Sequence, residues 1–398
     1  MLWQALTLQL GYNATLVTLG ALLLGVAAGG TGTFLFLRKR ALVSDAISHA
    51  TLLGVGLAFL VMVALGGDGR NLAGLLFGSA ITAWLGLLTV QWLNRHTRLS
   101  EDSAIGAVLS VFFGAGVVLL TVIQTMSQGR QAGLDSLLLG STAGMLFSDA
   151  AMIAAGGAVV LALALLFRRP MTLVAFDANY AAANGLNVSR IDLLTMGLVL
   201  AVTVVGLKIV GLILIVALLI IPPVTARFWT DRAEEVWLIS GAIGGAAGYL
   251  GAAISASAPN LPTGPIIVLV AFALFTVSLF FAPARGALSS VLRHRRFQRH
   301  VHRRQGLLAL ANGLPIYERY TMRLLSQEGL IRPDGVATKI GERQAASAMQ
   351  DEHRWRLLRE MPAHEDIAAR YDGLSGLETI LTKDQLRDLD AKLAEGKA

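Results

Sequence analysis

Residues 38 to 54 read Arg38-Lys-Arg-Ala-Leu-Val-Ser-Asp-Ala-Ile-Ser-His-Ala-Thr-Leu-Leu-Gly54 and lead into a long apolar segment. Asp45 and His49 stand about one helical turn apart, so a helix presents both side chains on one face. A carboxylate and an imidazole are costly in lipid, and inside a membrane such groups usually mark a pathway or a binding site. Because both groups suit divalent transition metals, we predict that Asp45 and His49 are metal ligands.

The composition is that of a membrane protein with a charged tail. Hydrophobic residues make up 55% of the 398 residues, charged residues make up 15%, and the mean hydropathy is +0.63. The apolar segments end near residue 282, and the sequence beyond is dense in charge. Cysteine is absent, which excludes disulfides and thiolate metal sites. The N-terminus lacks the basic region of a cleaved signal peptide, so we expect the first span to be retained.

Nine segments are long and apolar enough to cross a bilayer. They are residues 14–37, 41–65, 71–93, 104–126, 149–168, 190–207, 209–227, 236–256 and 263–282. Basic residues follow the first, third, fifth, seventh and ninth of these segments. In the first four of those loops they are Arg38, Lys39, Arg40, Arg95, Arg98, Arg168, Arg169, Arg227 and Arg232. If the spans alternate, all these loops lie on the cytoplasmic side, with the N-terminus outside and the C-terminus cytoplasmic.

We therefore predict an all-α polytopic membrane protein of about nine transmembrane helices, with a small cytoplasmic domain at its C-terminus. The transmembrane domain is expected over residues 1–285 and a basic juxtamembrane linker over residues 286–305. Six arginines between residues 293 and 304, with no acidic residue among them, are expected to meet anionic lipid heads. The third part, residues 306–398, is expected to be the soluble accessory domain.

Small residues four positions apart predict close helix packing in the membrane. The pairs are Gly25 with Gly29, Gly241 with Gly245, and Gly244 with Gly248. Residues 127–148 are long for a connector and rich in glycine, and we expect an extracytoplasmic loop or a re-entrant segment there.

The loop between the fifth and sixth predicted spans is unusual. It runs from Phe176 to Arg190 and contains a short alanine-rich segment with Asp177 near its start and Gly185 past its end. These are helix start and stop signals, so the loop is expected to form a short capped helix. Such a helix, held below the membrane, is a natural contact for a soluble partner.

The tail beyond residue 306 shows several short amphipathic segments. Two helical segments are followed by a tight turn at Gly335 and by another helix that begins near Gly341. The order of helix, helix, short hairpin and helix is typical of a winged helix-turn-helix, so the C-terminal domain is expected to be winged-helix-like and α(+β).

The membrane part resembles the permease subunits of bacterial ABC importers for manganese, zinc and iron. The segment Leu35–Ala50 carries the most specific part of the resemblance. It continues through Ser100–Gly106, the loop Asp177–Gly185, Val210–Pro222 and Asn260–Pro265.

The resemblance implies two permease subunits, identical or different, two cytoplasmic ATPase subunits, and an extracytoplasmic metal-binding protein. Asp45 and His49 match the positions that form the metal site in the pathway. The positions that match the coupling helix, which docks on the ATPase, are Asp177, Tyr180, Ala181 and Gly185. Manganese or iron is favoured over zinc, as transported substrate and not as a resident cofactor. No G-x-x-x-x-G-K-[ST] phosphate loop is present, so ATP hydrolysis is assigned to the separate ATPase and the chain itself is not an enzyme.

The tail resembles the DNA-binding and dimerisation regions of metal-dependent repressors. The segments Thr338–Ala345 and His353–Leu357 carry this likeness. Leu357 and Thr379 stand where those repressors have a glutamate and a histidine that bind metal, which argues against metal sensing. We expect a regulatory or vestigial domain that contacts the ATPase, and we do not expect DNA to be a partner.

Three other functions are open at this point. An integral membrane enzyme with a His/Asp metal centre would need further ligands, such as a His-Glu-x-x-His helix, and the sequence has none. A permease for metal chelates of the siderophore or cobalamin type would not need a bare acid and imidazole pair. A membrane-tethered metal-responsive regulator would depend on the tail.

Overall fold

The computed structural model describes residues 2–9, 11–67, 69, 71–126, 147–207, 211–258, 261–361 and 371–395. These residues form helices, one isolated antiparallel bridge and no strand. The chain divides into two compact units, Met1–Ser289 and Ser290–Ala398. The all-helical membrane fold that the sequence predicts is confirmed. The predicted loop or re-entrant segment at 127–148 lies almost wholly outside the described residues.

The first unit consists of twelve described helices. They are α1 (Leu2–Leu6), α2 (Tyr12–Leu37), α3 (Ala41–Ala64), α4 (Leu72–His96), α5 (Glu101–Thr125), α6 (Phe147–Leu166), α7 (Arg168–Phe176), α8 (Ala178–Ala183), α9 (Val188–Gly206), α10 (Leu212–Arg227), α11 (Ala233–Ala256) and α12 (Thr263–Phe281).

Seven of these helices are long and apolar enough to cross a membrane, namely α2, α3, α4, α5, α9, α11 and α12. Helices α6 and α7 meet at a bend of 63° and qualify together as an eighth span. The predicted span at 209–227 corresponds to α10, which has 16 residues. A helix of that length rises about 24 Å, less than the roughly 30 Å of a bilayer core. The described helix starts only after Gly211, whose φ of 84° ends any helix that precedes it.

Helix α2 is the centre of the unit. It packs most extensively on α11 and also touches α10, α6, α9 and α7. The contact with α11 brings backbone against backbone, because a Cβ atom added at Gly25 would lie 2.1 Å from the carbonyl oxygen of Gly244. Close to this point Ser240 Oγ donates a hydrogen bond to the Gly29 carbonyl at 2.6 Å. The predicted glycine pairs therefore do bring two helices together, as small residues do in lipid.

Helix α3 packs on the other side of the bundle, against α4 and α5. Gly54 of α3 faces Gly78 of α4, where an added Cβ atom would lie 2.2 Å from the Gly78 carbonyl oxygen. The side chains of Leu52, Val55 and Phe59 form a buried cluster with Ile123 of α5. One side of α3 is thus fixed by dense packing.

The second unit begins within a long helix. Its helices are α13 (Ala287–Ala311), which contains the unit boundary, α14 (Arg319–Gln327), α15 (Lys339–Glu360) and α16 (Lys383–Glu395), with a 3₁₀ turn at Leu377–Thr379. Ile331 and Ala337 form the antiparallel bridge between α14 and α15. The predicted order of helix, helix, tight turn and helix is present, and the assignment to a winged helix stays a prediction.

Ion pairs inside the second unit involve some of the arginines in the basic run at residues 293–304. Glu328 accepts hydrogen bonds from Arg299 at 3.0 Å and from Arg303 at 2.8 Å. Between α15 and α16, Arg354 binds both carboxylate oxygens of Asp390, at 2.7 and 2.6 Å. The hydrogen bond from Arg354 holds the pKa of the Asp390 carboxyl below its usual value. The stability that this pair contributes is therefore present at neutral pH and is lost as the pH falls through the lowered pKa.

We predict that Gly25→Ala destabilises the first unit, because the new Cβ atom would overlap the Gly244 carbonyl of α11. Forcing extra volume into a packed contact costs roughly 1–3 kcal/mol, so the apparent Tm in detergent and the monodisperse fraction should both fall. Gly114→Ala is the matched control. It also lies inside a spanning helix, but an added Cβ atom there meets nothing within 4 Å. Equal behaviour of the two variants would contradict the tight α2–α11 contact.

Candidate functional site

Asp45 and His49 lie in the first half of α3, which begins at Ala41. His49 Nε2 is 3.3 Å from Asp45 Oδ1, so the two groups do share one face, as the spacing predicts. Among the described residues neither group pairs with a cation or a second carboxylate, and the pair offers two ligand groups of the kinds that divalent transition metals accept.

The face that carries the pair is the exposed face of α3. Leu42 lies on it three residues before Asp45, and Leu57 and Val61 lie on it eight and twelve residues after His49; these three residues are 52%, 44% and 58% exposed. The side chains of Asp45 and His49 are 37% and 18% exposed. We name these five residues the α3 stripe. In the single chain the polar pair therefore lies on the outer surface of the helix and not in the packed core.

The surroundings of His49 fix its ring. The edge of the ring meets Phe113 of α5, with 4.6 Å between ring centroids. His49 Nδ1 is buried and has no hydrogen-bond partner among the described residues. Ser44 and Ser48, which flank the pair in sequence, are fully buried. The Ser44 hydroxyl donates to the Ala41 carbonyl at 2.6 Å, so its bond goes to its own helix and not to the pair.

The pair alone does not complete a metal site. Within the part of the chain that the structure describes, no group of three or more His, Cys, Asp or Glu side chains could hold a metal ion. Stable metal sites usually have four or more ligands, so this chain alone provides an incomplete coordination shell.

The second candidate site is the loop that contains α8. Asp177 is the N-cap of this helix, and its Oδ1 accepts a hydrogen bond from the Tyr180 amide at 2.9 Å. Ala181 is completely buried and Tyr180 is 57% exposed. Gly185 follows the helix with a φ of 82°, a conformation that favours glycine, and so ends it. The predicted short capped helix is confirmed, and the aromatic ring it presents is free to contact another molecule.

Comparison with known proteins decides the family. Residues 12–282 match the ABC 3 transport family over the whole described membrane part.

The chain belongs to the ABC 3 transport family.

Named members resemble it over most of their length. The chain is 41% identical over 320 residues to the manganese transport system membrane protein MntC of Bacillus subtilis, covering 80% of this chain and 71% of that protein. It is 37% identical over 285 residues to the zinc transport system membrane protein TroC of Treponema pallidum, covering 72% and 94%.

The solved structures agree with this. PsaBC from Streptococcus pneumoniae, in complex with Fab, superposes with a TM-score of 0.63 at 29% identity, covering 74% of this chain and 100% of the other. A putative metal-chelate type ABC transporter in an inward-facing conformation gives a TM-score of 0.53 at 16% identity, covering 66% and 84%. The latter similarity shows the fold alone.

The sequence marks Arg38 and Arg40 of this ABC 3 family chain as basic loop residues and does not reveal their acidic partners. Arg38, Arg40, Glu101 and Asp192 form a connected group at one end of the bundle. A carboxylate at a helix start interacts favourably with the helix dipole, and Glu101 does lie in the first turn of α5. Its pairing with Arg40 has no local signal, and neither has the pairing of Arg38 with Asp192, since the partners are far apart in the chain.

We predict that Asp177→Ala loosens α8 in this family member. Loss of an N-cap costs about 1 kcal/mol, so the amide of Tyr180 should exchange hydrogen about fivefold faster. Hydrogen exchange of the peptide that contains residues 177–186, followed by mass spectrometry, measures this. Asp177→Asn is the control, because its side-chain oxygen still accepts the bond and exchange should stay near the native rate. If Asp177→Ala leaves the exchange rate unchanged, the cap does not hold the helix.

Proposed function

We propose that this protein is the transmembrane permease subunit of an ATP-binding-cassette importer that moves divalent metal ions across the cytoplasmic membrane of a bacterium. Manganese or iron is the favoured substrate, and zinc is also compatible with the ligands. The observation that carries the proposal is the Asp45–His49 pair, exposed on the α3 stripe of a chain that belongs to a transport family. Relatives that carry manganese or zinc in their names support it.

The exposed position of the pair argues for a second permease subunit, identical or related. A carboxylate facing hydrocarbon costs several kcal/mol, on the order of 3 by insertion scales, so this face needs a covering surface that is polar or wet. A second permease that presents its own acid and imidazole would cover it and double the number of ligands. The metal then lies between two subunits, at the pathway that separates them.

Coordination shared between two subunits suits transport. A carboxylate and a neutral imidazole from each subunit strip part of the ion's water, while the absence of a rigid closed shell lets the ion leave again. In this proposal the metal is cargo and the subunit has no resident cofactor. Selectivity among manganese, iron and zinc is not set by these ligands, because the same groups bind zinc at least as tightly in water.

The α8 loop is proposed as the docking point for the ATPase. Asp177 and Gly185 shape the helix, Ala181 anchors it on the membrane unit, and Tyr180 presents an exposed ring. A short, capped helix with one face buried and the other exposed can transmit a displacement without unfolding. The cytoplasmic ATPase supplies the hydrolysis for which this chain has no phosphate loop.

The remaining partners follow from the same arrangement. An extracytoplasmic metal-binding protein delivers the ion on the side opposite α8. With α10 counted as the seventh crossing, the basic loops favour a topology in which α8 and the C-terminal unit are cytoplasmic and the N-terminus is outside. Arginines of the juxtamembrane run that are not engaged within the second unit face anionic lipid heads. The C-terminal unit is proposed as a regulatory accessory that contacts the ATPase and does not bind DNA.

We predict that His49→Ala and Asp45→Ala each lower metal accumulation more than about tenfold, since even outer-shell changes at metal sites cost that much. Cellular Mn, Fe and Zn are measured with the partner ATPase and binding protein co-expressed, at equal permease level. The metal whose accumulation rises with wild type and falls with both variants is the substrate.

His96→Ala is the control for this experiment, because His96 stacks on Trp92 at the end of α4 and lies outside the stripe. It should transport as wild type does. Unchanged accumulation in both stripe variants would show that the pair is structural, and the chelate permease would then become the better explanation.

A further inference from the structure

Four charged side chains meet where α2 ends and α3 begins. Arg38 Nη2 lies 2.5 Å from each carboxylate oxygen of Asp192, which is near the start of α9. Arg40 Nε lies 2.9 Å from Glu101 Oε1, and Arg40 Nη1 lies 3.5 Å from Asp192 Oδ2. Two positive and two negative groups therefore balance, and Asp192 is shared by both arginines.

Arg38 makes a second contact that connects it to the α8 loop. Its Nη1 donates a hydrogen bond to the carbonyl of Val174 at 3.0 Å. Val174 lies in α7 just before the α8 loop, and Asp192 lies in α9 just after it. One guanidinium group thus holds the chain on both sides of α8. We name the contacts of Arg38 with Asp192 and Val174 the Arg38 clamp.

The clamp is protected from solvent. The side chains of Arg38 and Asp192 are 17% and 21% exposed, and Val174 is buried. Exposed ion pairs contribute little to a structure, but a partly buried arginine that binds both oxygens of a carboxylate is directional and strong. A planar guanidinium can serve two acceptors at fixed angles, which a lysine ammonium does not do in the same geometry.

The clamp also lies at the start of the helix that carries the metal pair. Only residues 38–40 connect α2 to α3, and Lys39 reverses the chain there with a φ of 57°. Arg40 is the N-cap of α3, and Asp45 follows about 7.5 Å further along the helix. A displacement of the α8 flanks therefore reaches the start of α3 through two side chains and a rigid turn.

We propose that the Arg38 clamp transmits movement of α8 to α3 and so couples ATP hydrolysis to release of the metal. The inference rests on the proposed function. Arg38 and Asp192 touch neither metal nor nucleotide and are positioning residues. Coupling between distant sites requires an element with two discrete arrangements that both sites bias, and in this proposal the charge pair that joins α7, α9 and the start of α3 is that element.

The test uses the full-length permease, reconstituted in proteoliposomes with its ATPase and binding protein. Two quantities are measured together, metal ions taken up and ATP molecules hydrolysed. Asp192→Asn removes the charge and keeps the shape of the side chain. We expect ATP hydrolysis to continue while metal transported per ATP falls about tenfold, within the usual range of coupling between sites.

Asp231→Asn is the matched control. Asp231 is also a carboxylate shared by two arginines, Arg227 at 3.2 Å and Arg285 at 2.5 Å, but those partners lie at the end of α10 and beyond α12. Its variant should keep the native ratio of metal to ATP. A parallel loss of uptake and hydrolysis in Asp192→Asn, or an unchanged ratio, overturns the proposal.

A second variant and a wild-type control make the outcome interpretable. If Asp192→Asn does not assemble with the ATPase, Arg38→Lys decides by the same criterion, because it keeps the charge but cannot serve Asp192 and Val174 in the same way. Wild type must take up Mn, Fe or Zn in this assay. If it moves none of them, the proposed function fails, whereas normal wild-type uptake with an unaltered ratio in the variants rejects the clamp alone.

Discussion

The membrane unit depends on the contact between α2 and α11, in which glycine and serine let two backbones touch. Lipid tails are as apolar as leucine, so burial of apolar surface does not drive helices together in a bilayer, and dense packing with short hydrogen bonds must do so. Gly25 against Gly244 and the hydroxyl of Ser240 on the Gly29 carbonyl supply both. Because α2 also touches α6, α7, α9 and α10, its position on α11 sets where those four helices lie.

Within that frame the metal pair is held by what surrounds α3. Gly54 brings the helix onto α4, and Leu52, Val55 and Phe59 pack toward α5, which leaves Asp45 and His49 on the partly exposed side, with the edge of the His49 ring against Phe113 of α5. A metal site in a closed core would bind tightly and release slowly. In the proposed site, a pair on a partly exposed face would bind the ion when a second subunit meets it and would release the ion when that subunit moves. The exposure that makes the isolated chain costly in lipid is thus what a transport site requires.

The charged groups at the α8 end of the bundle stabilise it in a different way from the small residues of the α2–α11 contact. Arg38 and Asp192 lie close to water, where a charge pair costs less to bury than at the membrane centre. Such a pair is directional, so it holds α7, α9 and the start of α3 in one arrangement. It can also exchange partners, which an interlocked apolar contact does only with cavities and strain. The ionic contacts lie at the α8 end of the bundle, and the contacts of small residues lie within the spans. In the proposed coupling, the ionic contacts rearrange while the contacts of small residues stay fixed.

Local sequence determined the features that lie within one helix: the all-helical membrane fold, most of the spans, the shared face of Asp45 and His49, and the cap of α8 by Asp177 and Gly185. Hydropathy, the 3.6-residue period and capping chemistry act over a few residues, so a single sequence displays them. Tertiary structure alone decided that the pair lies on the partly exposed side of α3 and that Arg38 meets Asp192, 154 residues away. These outcomes depend on how helices rotate and slide against one another. Close contacts of small residues such as Gly25 and Gly244 fix that registry, and no periodicity within one segment encodes its partner.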